Sequence, residues 1–84
     1  MTVEVSLFGP MRKYGATVCC EIRVGATVAE LRAALRVALG AAQSFSDETL
    51  LQHSVFATDT EVVRDDATVR QDTIYAVLPP VCGG

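Results

Sequence analysis

Hydrophobic and polar positions alternate at the start of the chain, where Val3, Val5 and Leu7 are separated by Glu4 and Ser6. A period of two marks a strand with one buried face, and Gly9-Pro10 interrupts it, so a first strand is predicted to end at Phe8. After a polar turn around Lys13 to Gly15, residues 18–24 predict a second strand with Cys20, Ile22 and Val24 facing inward. Together the two make a hairpin.

The period then changes. Thr27-Val28-Ala29-Glu30 has capping-box spacing, in which the threonine hydroxyl accepts a backbone N–H and the glutamate reaches back to the cap. The helix begun there carries Val28, Leu31, Leu35, Ala38 and Leu39 on one face and Glu30, Arg32 and Arg36 on others, and Gly40 is the expected C-terminal cap. Between residues 41 and 52 the pattern weakens: Ser44, Ser46 and Asp47 suggest a loop, and Leu50-Leu51 fits either a helical turn or the approach to a strand. Residues 54–57 and 61–63 predict short strands around a turn at 58–60, and residues 73–78 a last strand.

This order predicts an α+β domain, a mixed sheet with one main helix packed on one face, as in ubiquitin-like β-grasp folds. With 84 residues, half of them apolar, the chain can bury one core. Residues 1–78 are assigned to the domain and residues 79–84 to an extended tail.

Charge and cysteine content narrow the function classes. A net charge of −3 argues against binding nucleic acid, which requires a basic face to neutralise phosphates. No basic leader with a long apolar stretch opens the chain, and no apolar run approaches bilayer length, so neither secretion nor a membrane is expected. Cys19, Cys20 and Cys82 are an odd set with neither disulfide-framework nor CxxC spacing, which suits a reducing cytoplasm. Cys19 and Cys20 are adjacent on a strand and point to opposite faces, so no metal pair is expected. His53 has no second histidine or nucleophile to work with and is assigned a surface or structural place; Asp65 and Asp66 are read as solvating a turn.

The chemistry is concentrated at the end. Leu78-Pro79-Pro80-Val81-Cys82-Gly83-Gly84 leaves the last strand through two prolines, which cannot donate ladder hydrogen bonds and favour an extended path. Six extended residues reach roughly 20 Å, enough to thread a neighbouring active site. Two glycines can enter a narrow channel and present the terminal carboxylate. A carboxylate is a poor acyl group until it is adenylated, after which a sulfur nucleophile can displace the adenylate and leave a thiocarboxylate. A Gly-Gly end alone is weak evidence; following a β-grasp order and Leu-Pro-Pro-Val-Cys it is specific.

The chain resembles the MoaD/ThiS sulfur-carrier family, most of all the small subunit of molybdopterin synthase. The likeness lies in Leu7-Phe8-Gly9-Pro10-Met11-Arg12-Lys13-Tyr14-Gly15, in Thr27-Val28-Ala29-Glu30-Leu31, and in residues 65–84 with their Pro-Pro-Val-x-Gly-Gly ending. Departures fall at Ala57-Thr58-Asp59-Thr60, where the family often has an Asn-Gly-type turn, and at Arg70-Gln71-Asp72. The resemblance implies that Gly84, preceded by Gly83, is adenylated by a ubiquitin-activating-like adenylyltransferase using ATP. It is then sulfurated from a sulfur donor protein and inserted into the large synthase subunit, where sulfur passes to cyclic pyranopterin monophosphate. It also implies that the chain is not catalytic alone and binds no cofactor of its own. Leu78, Pro79, Pro80, Val81 and Cys82 are expected partner contacts, because an extended apolar tail gains most by docking in a groove. Phe8, on the opposite side of its strand from Val3, Val5 and Leu7, is either an apolar anchor for a partner or a small second core contact, and Arg12 is either a partner contact or a solvated side chain. A carrier for cysteine, thiamine or another sulfurated metabolite, a protein modifier linked to target lysines, and a plain interaction module are the alternatives.

Overall fold

The structure is a computed structural model and describes residues 1–42 and 48–79. Its first strand, β1 (Thr2–Leu7), turns through a short 3-10 helix (Gly9–Tyr14) into β2 (Thr17–Glu21). The helices α1 (Val28–Ala42) and α2 (Glu48–His53) follow, then β3 (Val55–Ala57), β4 (Val62–Val63) and β5 (Tyr75–Leu78). The sheet order is β2-β1-β5-β3-β4, with the first and last strands parallel at its centre and the other pairs antiparallel.

The alternation read in β1 is what the fold uses. Val3, Val5 and Leu7 are buried, opposite Cys20, Val18 and, across β5, Tyr75 and Val77. Helix α1 closes that face with Val28, Leu31, Leu35 and Leu39, and Phe56, Leu51 and Val69 complete the core. Each fully buried aliphatic or aromatic side chain contributes about 1.5–3 kcal/mol. Tyr75 is buried with its hydroxyl accepting the Arg70 N–H at 2.9 Å, so its polar end is satisfied.

Helix α1 starts where the capping box placed it. Thr27 N–H donates to Glu30 Oε2 at 2.7 Å and the Glu30 N–H reaches Thr27 Oγ1 at 3.4 Å. The Val28 and Ala29 N–H groups donate to the Ala67 and Asp65 carbonyls, both at 2.9 Å. All four donors that a helix start leaves open are therefore satisfied. Arg23 clamps the cap from outside, its Nε and Nη2 lying 3.0 and 2.9 Å from the Glu30 carboxylate.

Several expectations are corrected. The second strand ends at Glu21 rather than Val24, because the chain turns at Gly25 (φ 87°) with Ala26 N–H on the Arg23 carbonyl; Val24 is 78% exposed, not inward. The polar turn at Lys13 belongs to the 3-10 helix, which buries Met11 and Tyr14 three residues apart. Gly40 lies inside α1, which continues to Ala42 without a positive φ there, so it is not the cap. Of the two readings of Leu50-Leu51 the helical one holds, in α2, while Ser44, Ser46 and Asp47 lie outside the described residues. Phe8 follows β1 rather than ending it. No helix among the described residues is long and apolar enough to cross a membrane.

Candidate functional site

Parallel pairing of β1 with β5 decides where the C-terminal segment departs. Val5, Ser6 and Leu7 stand opposite Tyr75, Ala76 and Val77, so both strands leave the sheet at the same end. Phe8-Gly9 and Leu78-Pro79 are the two exits. Pro79 is half-buried against Gly9: a Cβ added to Gly9 would lie 3.0 Å from Pro79 Cγ and 3.2 Å from its Cδ.

Helix α1 covers one face of the sheet. The other face divides into two halves. Around β2 and β1 it is polar, with Thr2 opposite Glu21, Glu4 opposite Cys19 and Ser6 opposite Thr17. The Thr2 hydroxyl donates to the Glu21 carboxylate there. Toward β5, β3 and β4 it is apolar, with Leu78 opposite Val55, Ala76 opposite Ala57, and Ala57 opposite Val62. Phe8 has an extended backbone (φ −129°, ψ 164°) that continues the alternation of β1, which places its ring on this outer side, 43% exposed. Val62, at the far edge, is 65% exposed.

Of the expected partner-contacting residues, the structure brings Phe8, Leu78 and Pro79 together where β1 and β5 end. Arg12 follows on the exposed side of the 3-10 helix. Its guanidinium has no ion pair or side-chain hydrogen bond among the described residues. Lys13 stands beside it with its ammonium 5.3 Å from the centre of the Tyr14 ring. The exit therefore combines an apolar surface with a basic rim. Pro80, Val81, Cys82, Gly83 and Gly84 lie outside the described residues.

Side chains elsewhere offer no reactive centre among the described residues. Cys20 is buried, and burial foremost, with the neighbouring Cys19 second, pushes its thiol up to about 11. A thiol held that high stays protonated and unreactive. Cys19, on the outer face, is exposed. His53 is exposed and its Nδ1 lies 2.8 Å from the Thr49 carbonyl, one helical turn back. No cluster of three or more His, Cys, Asp or Glu side chains that could hold a metal occurs among the described residues.

Two features escaped the sequence. Gly9 was read only as an interruption of β1, and its contact with Pro79 exists only because the first and last strands pair. Arg32 was placed only on a helix face other than the apolar one, yet its side chain is only 15% exposed: Nη1 donates to the Leu51 and Ser54 carbonyls at 2.7 Å each, and Nη2 to Asp65 Oδ1 at 2.7 Å. Asp65 is thus paired rather than merely solvating a turn.

A five-stranded mixed sheet in this order, closed by one long helix, defines a ubiquitin-like β-grasp protein. The ThiS family profile matches residues 5–84, and the chain belongs to that family. Among solved structures, SAMP1 from Haloferax volcanii superposes with a TM-score of 0.74 at 27% identity, covering 100% of both chains. A complex of subunits 1 and 2 of the molybdopterin-converting factor from Helicobacter pylori contains a chain with TM-score 0.62 and 24% identity, again over 100% of both, a likeness of fold. The solution structure of the Haloferax volcanii HVO 2177 protein gives 0.69 at 19% identity, covering 100% of this chain and 87% of that one. No curated protein sequence matches. The protein is a small ubiquitin-like carrier or modifier of the ThiS/MoaD type.

Proposed function

We propose that this protein is a sulfur carrier whose terminal Gly84 is converted to a thiocarboxylate and delivered into a partner enzyme. The observation that carries the reading is the family match running through Gly83-Gly84 at the end of the chain. The Gly84 carboxylate attacks the α-phosphorus of ATP in an activating adenylyltransferase, forming an acyl adenylate and releasing pyrophosphate. A sulfide-level sulfur from a donor protein then attacks the acyl carbon and expels AMP. Residues 79–84 serve as the tail, with Pro79, Pro80, Val81 and Cys82 docked in the partner's channel and Gly83 passing its narrowest point.

The outer sheet face supports docking. Phe8 and Leu78 supply apolar area beside the tail's exit, and Arg12 supplies charge at the rim, where complementary charge speeds encounter. The partner we assign is the large subunit of a molybdopterin synthase, where sulfur passes to cyclic pyranopterin monophosphate in the cytoplasm. The likeness of fold to a chain of the molybdopterin-converting factor complex supports that choice.

A second reading is favoured by the likeness to SAMP1, whose structure is also described as that of a small archaeal modifier protein. In it the activated Gly84 forms an isopeptide bond with lysines of other proteins. A reconstituted sulfur-transfer assay with the chain lacking Gly84 tests the carrier: transfer is expected to vanish while the circular dichroism spectrum is unchanged. Normal transfer by the shortened chain would refute it. Gly84-modified lysine peptides in cell digests, without any thiocarboxylate, would favour the modifier.

A further inference from the structure

We propose that Gly9 is a positioning residue that sets the direction in which the chain leaves the sheet at Pro79, an inference that rests on the carrier reading. Gly9 has a φ of 61°, a backbone that side chains disfavour, and its bare Cα faces the Pro79 ring. The space a Cβ would need is taken: Cγ would be 3.0 Å away, Cδ 3.2 Å and Cβ 3.5 Å. Glycine therefore acts twice, once for the turn out of β1 and once as a seat for the ring.

Pro79 has its own φ fixed by the pyrrolidine. A ring with a fixed torsion, held against a fixed seat, gives the first link of the tail one position and one heading. A shift of that first link moves the point from which the five remaining residues must reach the reacting groups. Reacting groups tolerate little displacement, since a misplacement of about 1 Å can lower a rate on the order of a hundredfold. The remote pairing of β1 with β5 thereby governs delivery of a carboxylate that neither strand contains.

The test compares the full chain with Gly9→Ala, Pro79→Ala and the double variant, using adenylation and thiocarboxylation of Gly84 by an activating enzyme with ATP and sulfide. Gly9→Ala is expected to lower kcat on the order of tenfold to a hundredfold with a smaller change in KM, because the docking face is intact and only the heading is wrong. Pro79→Ala removes Cγ and Cδ, the atoms that rest on the seat, so it should lower kcat as Gly9→Ala does, and the double variant should be little slower than either single one, because both changes break the same contact. Nuclear Overhauser contacts from the Gly9 Hα protons to the Pro79 ring should be present in the native chain. Should Gly9→Ala unfold, Gly9→Asn, which accepts this backbone more readily, carries the same comparison. A double variant whose loss is the product of the two single losses, or a Gly9→Ala chain as fast as native, would overturn the proposal. A native chain that no competent activating enzyme modifies would overturn the carrier reading and this inference with it.

Discussion

Arg32 and Asp65 meet at 2.7 Å across the top of the helical layer, and the same guanidinium lies 5.0 Å from the centre of the Phe56 ring. One side chain thus ties α1 to the end of α2, to β3 and to the loop whose carbonyls cap α1. Its value lies mainly in the Leu51 and Ser54 carbonyls, which without it lose a charged donor in a partly buried place. Arg32→Met is expected to lower unfolding free energy by about 2–3 kcal/mol, measured by urea titration. Asp65→Asn, at a side chain 59% exposed, should lose less than about 1 kcal/mol. Equal losses would show that the ion pair rather than the carbonyl contacts carries the stabilisation.

The helix cap makes a pH-dependent contribution. The Thr27 N–H, followed by Arg23, holds the Glu30 carboxyl below its ordinary value. A depressed folded value means that the unfolded chain binds the proton more readily. The contribution is therefore complete above the ordinary glutamate range and lost as pH falls through the lowered folded value. Urea midpoints measured across that acidic window should fall less steeply for Glu30→Gln than for the native chain. Thr27→Ala should lower stability by about 1 kcal/mol at neutral pH.

The cysteine pair gives a direct check on the face assignment. In a Cys82→Ser background, a disulfide reagent should label Cys19 rapidly and Cys20 only at the rate of unfolding, because Cys20 is buried and its thiol raised to about 11. Rapid labelling of both thiols would show that β2 is not packed as described.

Local relationships were legible in the sequence and remote ones were not. The alternation of Val3, Val5 and Leu7 and the Thr27–Glu30 cap depend on neighbours within a few residues, and both are found. The end of α1 was misread because glycine is only permitted, not required, to leave the helix, and Gly40 stays within it. The role of Arg32 was not legible because its partners lie 19, 22 and 33 residues away. The Gly9 seat depends on pairing the two ends of the chain, which no local window contains. The terminal motif was readable as chemistry, but Gly83 and Gly84 lie beyond the described residues, so their role is tested at the bench.

Docking through the outer sheet face predicts a separation of binding from stability. Phe8→Asp and Leu78→Asp place a charge on an apolar surface that the core does not use. Each is expected to weaken binding to the activating enzyme by about 1–2 kcal/mol in calorimetric titration. The thermal midpoint of Phe8→Asp should change little, since the ring is 43% exposed. Unchanged affinity in both variants would move the docking surface elsewhere.

The central claim is tested most directly by the intact mass of the native chain after incubation with ATP, an activating adenylyltransferase and a sulfur donor. The account predicts the mass gain of one oxygen replaced by sulfur, confined by fragmentation to Gly84 and absent when ATP is withheld. An unmodified terminus after incubation with several competent activating enzymes would contradict it.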